Sequence, residues 1–254
     1  MFPSISWRSG PVGFGKTIQR RTLLGKFHDH RFPGESDDYR RVRDELLEAE
    51  IRLRQQLEAV AALRRQLPVS GPIKEDYVFD EDAAELNDRH TTKRTKLSDL
   101  FGDKDTLVVY SLMFAPDWEK PCRSCNSILD GINGSAPHIN DRVSFVVVSK
   151  ASIEKLRDWA RSRHWHNLRL LSSAGNDYNH DYFAESSEHG QLPALNVFRN
   201  VDGQIFHFYN TELLYTVKES GQDGRHVDLI WPIWNIFDLC PEGRGTSWYP
   251  KFEY

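Results

Sequence analysis

Two apolar runs constrain this chain more than any other feature: LVVYSLM at Leu107–Met113 and VSFVVV at Val143–Val148. Each is too short for a buried helix and rich in β-branched residues, so each reads as a strand covered on both faces. Parallel strands of that kind are joined by a crossover helix. The segment between the runs supplies one at Cys125–Ile139, with Ile128, Leu129 and Ile132 as its early apolar positions.

The pattern then repeats. Ser149 or Ser152 caps the helix SIEKLRDWARSRH, whose Ile153, Leu156, Trp159 and Ala160 face inward. A third strand is expected at Leu168–Leu171. Leu195–Phe198 and Ile205–Tyr209 bracket the turn NVDG as an antiparallel hairpin. Strand, helix, strand, helix, strand and hairpin make an α/β fold: a central mixed sheet flanked by helices. Ahead of it, KEDYVFDEDAAELNDRHTTKRTKLSDLFGDKD reads as a short strand, a charged excursion and a brief helical turn.

Outside this core, residues 36–68 form a long amphipathic helix that Ser36 or Asp37 can cap and Pro68 ends. Tyr39, Val42, Leu46, Ala49, Leu53, Val60, Leu63 and Leu67 make one apolar stripe, interrupted by Gln56. It either packs on the following domain, the favoured reading because Gln56 and Ala49 weaken a seam, or joins a second copy as a homodimer. Residues 1–35 are rich in Gly, Pro and Ser and read as a flexible arm, or as a transit peptide from their basic residues. The GFGKT in this arm lacks the spacing of a phosphate loop. The expected organisation is therefore arm 1–35, helix 36–68, domain 72–225 and an aromatic extension 226–254.

A formal net charge of −4 with both signs interspersed gives no footprint for nucleic acid. No run approaches the roughly 20 apolar residues that cross a bilayer, so no membrane is expected and a cytoplasmic location is the default. Three cysteines cannot build a disulfide framework, and two of them, Cys122 and Cys125, are three apart. They follow a buried strand and open a helix. Amide hydrogens at a helix N-terminus favour a thiolate at Cys122, Lys120 and Arg123 add to that field, and Asp117 and Glu119 oppose it. Cys125 is then placed to resolve a mixed disulfide. Half of a zinc site and two ordinary buried thiols are the competing readings; no second CxxC stands in the chain to complete a zinc site. Cys240 reads as a packing residue.

Pro193 begins LPALNVF, where a proline suits a strand start, and a cis bond there would turn the chain toward the cysteine helix. Trp118 reads as a wall of the cleft. Asp177 and Tyr178, in the cluster DYNHDY, offer a carboxylate base or a hydrogen-bonding cradle, against an Asx-type turn as the plain alternative. His164 and His166 flank Trp165 as solvated loop residues. LIWPIWNIFDL is too short to span a membrane and should pack on the domain, and the tail PEGRGTSWYPKFEY is placed to close one side of the cleft.

The order LVVYSLM, CRSC, VSFVVV and LPALNVFRNVDG resembles the thioredoxin superfamily, in which CxxC opens the first core helix and a cis-proline precedes the next-to-last strand. At finer grain the chain from about residue 38 to 254 is similar to the DUF899 family of thioredoxin-like proteins (AhpC/TSA-like). The similarity lies in EDYVFD, LSDLF, MFAPDWEKPCRSC, SSAGNDYNHDY, HVDLIWPIWNIFDLCPEGRG and WYP. It implies a thioredoxin-like fold, with the long helix added in front. Two departures matter. PDWEKP intervenes between strand and Cys122, a detour that should shelter the pair or displace it. The P-x-x-x-T/S-x-x-C pattern of peroxiredoxins is absent, with Ala115 and Glu119 at its key positions.

The expected activity is thiol–disulfide exchange, with Cys122 as nucleophile and Cys125 resolving, and with Pro193, Trp118, Asp177 and Tyr178 positioning the substrate. That substrate is a disulfide-containing protein or a small thiol compound, an external reductant restores the dithiol, and no bound cofactor is needed. A non-catalytic interaction module and a peroxiredoxin-like thiol peroxidase are the alternatives.

Overall fold

A computed structural model describes residues 27–215, 229–245 and 248–254. Most of the N-terminal arm, with its GFGKT segment, lies outside the described residues, as does part of the extension after residue 226. The chain divides into two compact units after Gln66.

The first unit holds helix α1, Asp37–Arg65. The Ser36 hydroxyl accepts the Tyr39 N–H at 3.1 Å, and Asp37 and Asp38 sit in the first turn while Arg64 and Arg65 occupy the last. Charges at both ends therefore complement the helix dipole. Along its length Arg41 pairs with Glu45 one turn on, and Arg43 reaches Glu50.

In the second unit the strands are β1 (Val78–Asp82), β2 (Thr92–Lys96), β3 (Thr106–Leu112), β4 (Ser144–Ser149), β5 (Leu170–Ser172), β8 (Ala194–Val201) and β9 (Gln204–Asn210). They form one sheet in the order β2-β1-β5-β4-β3-β8-β9. β3, β4 and β5 run parallel, joined by α2 (Arg123–Arg142) and α3 (Ile153–Ser162). Both crossovers step in the same direction, so right-handed connections put both helices on one face. A short helix α4 (Tyr178–Asp181) and the small hairpin β6 (Glu185–Ser186) and β7 (Gly190–Gln191) lie between β5 and β8, and α5 (Ile233–Asp238) follows. This is the thioredoxin-like arrangement, a mixed sheet flanked by helices with a long helix ahead of it.

Strand alternation sorts the core into two layers. Tyr110, Leu112, Phe145, Val147 and Leu170 join α2 and α3 under one face. Leu107, Val109, Val146, Val148 and Leu171 pack with Tyr77, Phe79, Tyr178 and Phe198 under the other. β8 and β9 turn through Asp202 and Gly203, both at positive φ, as a two-residue Asp-Gly hairpin requires. The charged excursion is a correction to the sequence reading: TKRTK is the edge strand β2, with only Thr95 buried. Lysines on an exposed edge discourage pairing with another chain.

α2 runs past its expected end despite Pro137. Proline removes the N–H that would bond the Asn133 carbonyl; the Asn167 side-chain amide donates to that carbonyl instead, at 3.0 Å. α3 ends in a Schellman turn. Trp165 N–H reaches the Ala160 carbonyl at 3.0 Å, and His164 N–H reaches Arg161 at 3.2 Å, with His164 at φ 56°. The turn drives Trp165 into the core, where its Nε1–H donates to Asp130 at 2.8 Å. His164 and His166 remain exposed, as expected.

Candidate active site

The PDWEKP detour returns to its starting point. Cys122 N–H donates to the Met113 carbonyl at 3.0 Å, which closes the loop onto the end of β3. Lys155 from α3 ties the loop down by donating to the Pro116 carbonyl at 2.8 Å. Cys122 is consequently the N-cap of α2, sheltered but not displaced from the helix end. The helix begins at Arg123, two residues before the expected start, and its first turn contains no acidic side chain.

Both thiols are free. Cys122 is half-buried and Cys125 is 1% exposed beneath it. The Cys122 sulfur completes no strict capping hydrogen bond; it sits instead among dipoles that favour its charged form. The Cys125 S–H is the largest influence, followed against it by burial, and then by the N–H groups of Cys125 and Ser124 and the Ser124 hydroxyl. Together they lower the Cys122 pKa to about 6. The same proximity works in reverse on Cys125, which the neighbouring Cys122 sulfur and burial push well above the ordinary thiol value. Tyr110, buried on β3 with its hydroxyl making no aligned hydrogen bond, adjoins Cys125.

The cleft beside Cys122 has a volume of about 520 Å³ and is lined by Met113, Trp118, Lys120, Pro121, Arg123, Tyr249 and Phe252. Trp118 thus stands beside Cys122. The C-terminal residues form the facing wall, anchored at several points. The Ser124 and Tyr249 hydroxyls hydrogen-bond, and Arg163 donates to the Phe252 carbonyl at 2.7 Å. The Phe252 ring packs edge-on against Trp159 at 5.2 Å. Trp231 is buried and donates to the Ser127 hydroxyl at 3.0 Å, fixing the extension to the first half of α2.

The other expected residues divide. Ala194 pairs with Ser111, so Pro193 comes to the same end of the sheet as Met113 and Cys122. Every peptide bond among the described residues is trans, that before Pro193 included, so the cis-proline of the thioredoxin pattern is not adopted. Asp177 and Tyr178 do not join the site. Tyr178 is wholly buried in the opposite core layer, and Asp177 lines a separate polar cleft with Asp76, Arg94 and Lys150. Asn176 Oδ1 accepts the Tyr178 N–H at 3.0 Å, the plain Asx-turn reading of that cluster. The described residues contain no group of His, Cys, Asp and Glu side chains that could hold a metal. Cys240 is exposed near the end of α5 and apart from the cleft, not packed as expected.

Ser124, Tyr110, Tyr249 and Phe252 are the site residues that sequence reasoning did not name. Only the aromatic content of the tail hinted at two of them.

No helix among the described residues is long and apolar enough to cross a membrane. No curated protein matches this chain in sequence. Among solved structures, Enterococcus faecalis AhpC is 10% identical and aligns over 72% of this chain and 98% of its own, at a TM-score of 0.43. Plasmodium yoelii thioredoxin peroxidase I is 15% identical, over 72% and 100%, at 0.42. A putative thioredoxin reductase from Burkholderia cenocepacia is 14% identical, over 62% and 90%, at 0.41. The family described as a bacterial protein of unknown function, DUF899, matches over residues 29–254, and the chain belongs to it.

Proposed function

We propose that this protein is a thiol–disulfide oxidoreductase that works through Cys122 and Cys125. One observation carries the reading: a half-buried cysteine at the N-cap position of a long helix, with a second, buried thiol one turn further on. The two environments push the thiols in opposite directions, as nucleophile and resolving group require.

The Cys122 thiolate attacks one sulfur of a disulfide, forms a mixed disulfide and expels the first thiolate. Cys125 then loses its proton and attacks the Cys122 sulfur, and the second thiolate leaves. The protein ends as the Cys122–Cys125 disulfide, the substrate as two thiols, one carrying the Cys125 proton and the other a proton from solvent or none. An external dithiol reverses the oxidation. Buried Cys125 reaches no substrate directly, so the order of attack follows from exposure. Peroxide reduction finds less support, because the position three before Cys122, where peroxiredoxins have a hydroxyl, is the exposed Glu119.

The test is Cys125→Ser. That variant should accumulate a stable mixed disulfide on Cys122, seen by intact mass and peptide mapping, while Cys122→Ser accumulates none at that position. Equal adduct formation at Cys240 alone in both variants would defeat the proposal.

A further inference from the structure

The charges around Cys122 say which disulfides the cleft suits. Among the described residues, Lys120 and Arg123 are the only charged ones that line it. Neither forms an ion pair within the described residues. Each lies over an aromatic ring of the facing wall instead: Lys120 Nζ is 5.4 Å from the Phe252 centroid and Arg123 Cζ is 4.9 Å from that of Tyr249. A ring face holds a cation in place without neutralising it, so both positive charges stay available to a ligand. Asp117 and Glu119, the acidic residues of the same loop, are exposed and contribute nothing to the lining. The cleft volume of about 520 Å³ falls within the range of small-molecule sites, and Trp118, Tyr249 and Phe252 wall it.

We infer that the substrate is a small anionic disulfide, with carboxylates placed to meet Lys120 and Arg123 while its sulfur meets Cys122. This rests on the thiol-exchange reading, and supplies its substrate class. The steps and their balance are those already given, with two carboxylate-bearing thiols as products.

The test measures mixed-disulfide formation on Cys122 in a Cys125→Ser/Cys240→Ser background, where the adduct is not resolved, with three small aliphatic disulfides: dithiodipropionate (dianionic), bis(2-hydroxyethyl) disulfide (neutral) and cystamine (dicationic). Each rate is divided by that of the same disulfide with a free small thiol, which removes differences in leaving group. At low salt the dianionic compound should exceed the dicationic one by about tenfold or more. That ratio should fall to near one in Lys120→Gln/Arg123→Gln. It should also fall in the unaltered protein as salt rises to about 0.5 M, where screening shortens the reach of exposed charges. A ratio near one in the parent overturns the inference, as does a ratio that survives both the double substitution and salt. So does a higher normalised rate with a protein disulfide such as insulin's. Reaction of Cys122 with none of the probes defeats the thiol-exchange reading itself, and the inference with it.

Discussion

The Tyr249 hydroxyl meets the Ser124 hydroxyl, joining residues 125 positions apart across the mouth of the Cys122 cleft. Ser124 lies between the two cysteines, and its hydroxyl is among the groups that favour the Cys122 thiolate. When Ser124 donates toward the sulfur, Tyr249 must donate to Ser124. In that arrangement the tail does more than wall the cleft: it orients a dipole that acts on the nucleophile.

Ser124→Ala should raise the midpoint of Cys122 ionisation by about one pH unit, since a hydrogen bond to a charged group contributes about 1.5 kcal/mol. Tyr249→Phe should raise it by less, because it leaves the serine in place with one partner fewer. The ultraviolet absorbance of the thiolate, followed against pH, measures both. An unmoved midpoint in Ser124→Ala would remove the hydroxyl pair from the account.

Arg157 holds the edge of the domain together from inside α3. It is 4% exposed, and its Nε stands 2.7 Å from the Asp82 carboxylate, an ion-pair contact outside hydrogen-bond alignment. Its two terminal nitrogens donate to the carbonyls of Ala83 and Glu85, at 2.7 and 2.8 Å. Arg157→Ala leaves a buried carboxylate and two carbonyls without their partner, and should cost about 3–5 kcal/mol. Denaturant unfolding of the reduced protein checks this. A loss below about 1 kcal/mol would mean that water replaces the guanidinium freely.

The core strands and their crossover helices were legible because buried parallel strands write themselves as uninterrupted apolar runs. LVVYSLM and VSFVVV became β3 and β4 with ends shifted by one residue. The Asp-Gly turn and the caps at Ser36 and Ser152 rest on local chemistry and were equally readable. β2 was not, because an edge strand that buries one side chain leaves no apolar alternation to detect. Tyr178 shows a different limit. Its neighbours promised a polar cradle, but the face of the sheet on which a side chain lands depends on packing far along the chain. Tyr249 and Ser124 are a third case, a contact that no local pattern encodes. The cysteine pair itself was plain; how its environment divides the two thiols was not.

The central claim is that Cys122 is a stabilised thiolate and Cys125 a protected thiol. The direct measurement is the rate of iodoacetamide alkylation of each cysteine in the reduced Cys240→Ser protein between about pH 4 and 10, resolved by peptide mass spectrometry. A thiol held low is ionised, and so reactive, at and above its pKa, and loses reactivity as pH falls through it. The Cys122 rate should therefore follow a titration with its midpoint at about 6, already near its plateau at neutral pH. Cys125 should stay unreactive throughout the range in which Cys122 reacts. A Cys122 midpoint at about 8.5 or above, the value of an ordinary thiol, would contradict the account, as would alkylation of Cys125 ahead of Cys122.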